Sequence, residues 1–174
     1  LIEAGAAVDA TNSEGATSLI MACENGHEHV ARALIEAKAN LESTTAKGST
    51  ALIFASQNGH EHVARALLEA GAAVDAAEEN GWTALMFCCV NGHDLCTRDL
   101  LKAGANLEAT QNQGFTALML SCQNGHERCA LDLLKAGAAV DAANNEGMTA
   151  LLWACTNSHE QCARALLKAG ANVE

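Results

Sequence analysis

The chain has 174 residues, 49% of them hydrophobic but only 3% aromatic, with no tyrosine, no proline and a formal charge of −11. The apolar content excludes intrinsic disorder, and an acidic chain without a basic tract is a poor binder of nucleic acid, because phosphate affinity comes from Lys and Arg. Membrane insertion is excluded too, since no apolar run approaches the roughly 20 residues of a spanning helix; Ala84 to Val90 is among the longest. With so few aromatics, alanine and leucine must do the packing, which favours helices.

Residues 1–14 read as the end of a second helix and its link, a partial repeat. Glycine then recurs every 33 residues, at Gly15, Gly48, Gly81, Gly114 and Gly147, each followed by similar text such as GSTALIFASQNGH or GFTALMLSCQNGH. Self-similarity at this period is the mark of a solenoid. With that glycine as register 1, Thr at register 3 (Thr17, Thr50, Thr83, Thr116, Thr149) precedes an apolar run and predicts a capped helix start. The first helix ends at the Asn-Gly of registers 11 and 12. A second helix begins near the His of register 13 and carries apolar residues at registers 16, 20 and 21, a helical spacing. Gly at register 24 (Gly71, Gly104, Gly137, Gly170) predicts a left-handed helix stop, and the Ala-x-Val/Leu-Asp/Glu that follows reads as an extended link. The units are therefore 15–47, 48–80, 81–113, 114–146 and the nearly full 147–174.

On these glycines, the threonines, the Gly-His turns and the paired leucines of the second helix, the whole chain resembles the ankyrin repeat family. The resemblance implies an all-α solenoid of stacked helix-turn-helix units joined by extended hairpins. It implies a non-enzymatic protein-interaction module with no cofactor. This sequence departs from the family pattern where Ala or Ser18 replaces proline, where Ile20, Ile53, Met86, Met119 and Leu152 replace the first-helix histidine, where Lys38 replaces a helix-stop glycine and where Ser158 replaces the glycine of register 12. The first helix is expected to be softer for it. The ends carry no polar capping repeat, which solenoids need for solubility, so the array is expected to be part of a longer one.

The eight cysteines sit on ladders: Cys23, Cys89, Cys122 and Cys155 at register 9, Cys96, Cys129 and Cys162 at register 16, and Cys88 at register 8. They read as reduced, buried packing groups, which fits an intracellular compartment, the cytoplasm first. No C-x2-C pair suggests zinc, although stacked cysteines could meet across repeats as disulfides. The family resemblance makes the histidines of register 13 structural. Acid at register 14 precedes Arg at register 18 in Glu28/Arg32, Glu61/Arg65, Asp94/Arg98 and Glu160/Arg164, the favourable i, i+4 order on an outer face. No catalytic constellation appears: there is no G-x-S-x-G, no phosphate loop and no dinucleotide fingerprint.

Where the repeats disagree, the residues are released from the scaffold. Registers 2 and 7 together hold every aromatic in the chain: Phe54, Trp82, Phe87, Phe115 and Trp153. By the resemblance these registers lie beside the hairpin finger and on the concave face. The expected interaction site is Phe54, Trp82, Phe87, Val90, Phe115, Leu120, Met148 and Trp153, rimmed by the finger tips Glu14, Glu79, Asn80, Asn112, Gln113 and Glu146. Such a surface suits a protein partner whose apolar segment is flanked by basic residues. The same rows would also serve to fill space between adjacent first helices. Alternatives of other classes are a structural subunit embedded in a large assembly, a thiol or zinc sensor, and the regulatory arm of a larger protein.

Overall fold

A threonine hydroxyl starts every first helix. In the computed structural model, which describes residues 7–173, Thr17, Thr50, Thr83, Thr116 and Thr149 each accept a hydrogen bond from the backbone N–H three residues on, at 3.3–3.4 Å. This satisfies an otherwise orphaned donor. The alanines that stand where the family has proline are strong helix formers, and the cap forms in all five copies. The helices among the described residues are α1 (Ser18–Glu24), α2 (Glu28–Glu36), α3 (Ala51–Gln57), α4 (Glu61–Glu69), α5 (Ala84–Asn91), α6 (Asp94–Lys102), α7 (Ala117–Gln123), α8 (Glu127–Ala136), α9 (Ala150–Thr156) and α10 (Glu160–Lys168). Odd-numbered helices stack on one another in one row and even-numbered helices in a second.

Second helices stop in the left-handed region. Gly71, Gly104, Gly137 and Gly170 have φ of +85 to +97°, and Lys38, in the same register, is forced to +65°. The links then make hairpin fingers closed by backbone pairs, as in Glu78 N to Trp82 O at 3.1 Å, and isolated antiparallel bridges such as Ala77 with Thr83.

Each interface between repeats is built the same way. Leucines of register 5 (Leu19, Leu52, Leu85, Leu118) and register 20 (Leu67, Leu100, Leu133, Leu166) are sealed inside. Register 6 faces the next repeat, so Ile20, Ile53, Met86 and Met119 are buried while Leu152, in the last copy, is open. Three polar rungs cross the same seams. Finger N–H groups donate to the preceding finger, as Glu79 to Lys47 O at 3.0 Å. Carboxylates at register 28 accept from the next repeat's backbone: Asp9 from Asn40, Glu42 from Ala73, Asp75 from Asn106, Glu108 from Ala139 and Asp141 from Asn172, all at 2.8–2.9 Å. The register-13 histidines supply the third rung. His60, His93, His126 and His159 direct Nε2–H at the carbonyls of Glu24, Gln57, Val90 and Gln123, at 3.0–3.1 Å. None caps its own helix.

Candidate interaction surface

The aromatic rows divide into an open part and a sealed part. Trp82 and Phe87, from registers 2 and 7 of the third repeat, pack as a tilted pair with ring centroids 5.0 Å apart. Both are half-buried, as is Val90 one helical turn beyond Phe87. The third finger holds Trp82 in place through the Glu78–Trp82 backbone pair, and the Thr83 cap fixes the start of α5, which carries Phe87 and Val90. Phe54, Met148 and Trp153 are half-buried as well.

Phe115 and Leu120 are different, and here the sequence expectation of open side chains is corrected. Phe115 retains 8% of its surface and Leu120 3%. Phe115 lies under Trp153 of the next repeat, rings 5.3 Å apart. Leu120 sits in the same row as Phe87 and Trp153, on the helix between theirs. A leucine flanked by two larger rings does not reach past them, so it fills the space between first helices.

Among the described residues, six exposed large apolar side chains lie outside the expected site: Val30, Leu152, Leu167 and Val173, besides Met21 and Leu95. Met21, register 7 of the first copy, is 43% exposed, and Leu95 on the outer face of α6 is 48% exposed. Leu95 had a legible signal: its register holds His29, His62, Arg128 and Gln161 in the other copies, and a lone apolar residue in a polar row is out of place. Its seat is the even-numbered row, away from Trp82.

The outer face is knit by charge. The intrahelical pairs form, with Arg32 Nε to Glu28 at 2.9 Å and Arg98 to Asp94 at 3.2 Å. The arginines also reach the following repeat, Arg65 to Asp99 at 2.9 Å and Arg98 to Asp132 at 2.7 Å. Burial works against ionising Asp99 and Asp132. Hydrogen bonds from Lys102 and Arg65 to Asp99, and from Arg98 and Lys135 to Asp132, more than offset it, so both carboxyls lie below the usual aspartate range. These arginines are committed to the scaffold.

The cysteines are free thiols, and seven are buried. Burial pushes the Cys23 thiol up to about 12. Cys155 alone is exposed, contrary to the reading of all eight as core, because register 9 faces the next repeat and Cys155 is in the last copy. Among the described residues no three His, Cys, Asp or Glu side chains gather as metal ligands, and no helix is long and apolar enough to cross a membrane.

Helix pairs stacked at a fixed period, joined by paired fingers and locked seam by seam, define a helical-repeat scaffold of the kind that presents a surface. The ankyrin repeat family model, which describes three copies, matches residues 1–78, 38–111, 70–144 and 98–174. The chain belongs to the ankyrin repeat family. Ankyrin repeats in general mediate protein–protein interaction and are typically not catalytic. No curated protein matches the chain.

Proposed function

We propose that this chain binds a protein partner along its first-helix and finger side, with Trp82, Phe87 and Val90 as the anchor. Phe54, Met148 and Trp153 extend the surface. One observation carries the reading: the third repeat puts a stacked, half-open aromatic pair at registers that the scaffold elsewhere fills with Ala16, Ser49 or Met21. Partly open aromatics are the usual anchors of binding energy. Glu78, Glu79 and Glu146 on the fingers bias recognition toward an apolar segment flanked by lysine or arginine. No step of this function asks for a cofactor.

The test is cross-linking mass spectrometry on native material, followed by affinity measurement with the partner so identified. Cross-links should fall on the fingers and the odd-numbered helices, and Trp82→Ala should weaken binding by over 1 kcal/mol, more than about fivefold, while leaving helicity intact. Cross-links confined to the arginine-bearing even-numbered row, or unchanged affinity with lost stability, would refute it. A second reading is a subunit permanently embedded in an assembly, which the half-open apolar row of Phe54, Trp82, Phe87 and Trp153 would equally suit. Native mass spectrometry of the purified chain separates the two, a soluble monomer arguing for the transient binder.

A further inference from the structure

The third finger departs from the repeat in two ways at once. At registers 31 and 32 it carries Glu78 and Glu79, where the other fingers have Asn, Thr or Gln followed by Ser, Ala or Asn. At register 2 it carries Trp82. The two departures meet in space. The bridge of Ala77 with Thr83 and the 3.1 Å bond from Glu78 N to the Trp82 carbonyl put Glu78 opposite Trp82 across the finger. Residues so paired project from the same face of the two strands, with Cβ atoms about 4.5–5.5 Å apart. That face is the one on which the Trp82 ring meets Phe87 of α5. The same pairing elsewhere joins Asn12 to Ala16, Gln111 to the sealed Phe115 and Asn144 to Met148. Among the described fingers, an acid stands against a half-open ring in this one alone.

The Glu78 carboxylate is not spent on the fold. At the same register Asn12 and Asn144 brace the turn, each accepting two backbone N–H bonds at 2.9–3.0 Å, and Gln111 accepts one from Gln113. Glu78 makes no such bond. Its side chain accepts instead from the exposed Asn80 amide at 3.3 Å. Among the described residues neither Glu78 nor Glu79 is in an ion pair, whereas the arginines of the outer face hold Asp94, Asp99 and Asp132.

We propose that Glu78 and Trp82 form an arginine seat, in which a guanidinium of the protein partner lies on the open surface of the Trp82 ring and donates hydrogen bonds to the Glu78 carboxylate. This rests on the docking surface proposed above and names the side chain that occupies its centre. A guanidinium suits both halves of the pair. It is planar and weakly hydrated, so it stacks on an aromatic face while its edge pairs with a carboxylate. The lysine ammonium is a strongly hydrated point charge and gains less from stacking. Trp82 and Phe87 touch, with centroids 5.0 Å apart and planes tilted by 31°, so they make a shelf and not a box. A quaternary ammonium, which is held by rings on several sides, finds only one side here. The chain's charge of −11 adds a long-range attraction for the cation.

The test uses the whole chain labelled with 15N-tryptophan, its indole N–H signals assigned through Trp82→Phe and Trp153→Phe. Acetyl-arginine amide, acetyl-lysine amide and acetyl-norleucine amide are titrated separately at low salt. The Trp82 signal should shift saturably with the arginine probe, at a midpoint about threefold below that of the lysine probe and about tenfold below that of norleucine. Glu78→Gln should raise the arginine midpoint about threefold and leave the norleucine response as it was. Glu36→Gln, which removes the same charge from the exposed end of α2, should raise it far less. A Trp82 signal that ignores arginine, or answers norleucine as readily, or responds equally to the two glutamate substitutions, would overturn the proposal. The docking surface itself fails by a different result, partner cross-links confined to the even-numbered row, so the two failures are told apart.

Discussion

The Gly-His seam admits a sharp test at Gly92. Its φ is +73°, and a Cβ there would sit 2.5 Å from Nδ1 and 2.7 Å from Cε1 of His126 in the next repeat. Alanine in the left-handed region costs about 1–2 kcal/mol. The ring must also move, breaking its 3.1 Å bond to the Val90 carbonyl, worth about 1 kcal/mol. Gly92→Ala should therefore destabilise the array by about 2–3 kcal/mol in urea unfolding. Gly71 supplies the control, with φ +90° and nothing within 4 Å of its Cβ position, so Gly71→Ala should cost only the backbone part, about 1–2 kcal/mol. A double-mutant cycle decides the mechanism. In a His126→Ala background the clash and the hydrogen bond are already gone, so Gly92→Ala should fall to the Gly71→Ala value. If Gly92→Ala costs the same with and without the histidine, the ring is not what demands glycine and the account of the seam is wrong.

Other consequences are independent of that one. Lys38→Gly should raise stability by about 1 kcal/mol, seen as a higher urea midpoint, because φ +65° suits glycine and strains lysine. Leu120→Ala should cost about 2–5 kcal/mol in unfolding, as for any sealed core leucine, with partner affinity per folded molecule unchanged. Asp99 and Asp132 have folded pKa values below the ordinary aspartate value of about 3.9. Their contribution is therefore present above about pH 4 and lost as pH falls through the folded values. The urea midpoint should drop on acidification through that window, and Asp132→Asn should flatten the drop.

The repeat period, the helix pairs and the positions where helices start and stop were legible in the residues. Thr at register 3, Gly at registers 12 and 24 and the buried leucines each recur because every copy meets the same local demand, so one chain carries its own alignment. Even exceptions such as Lys38 could be placed, since a stack of identical units dictates the backbone around a misfit residue. The sequence could not say which face each side chain of a repeat turns to its neighbour. At registers 2 and 7 the residues themselves carried no mark of which bulky side chain would be open and which sealed. Packing then separated them: Trp82 and Phe87 stack within one repeat and remain half open, whereas Phe115 is covered by Trp153 of the next and Leu120 is walled in by larger rings on both sides. The pairing of Arg98 with Asp132 and of Asp75 with the Asn106 amide has the same origin. Each joins residues more than 30 positions apart, and the superposition of one repeat on the next brings them within reach. Periodicity along a chain fixes what each unit is, while burial depends on the size of the side chain above and below, which only the stacked structure sets.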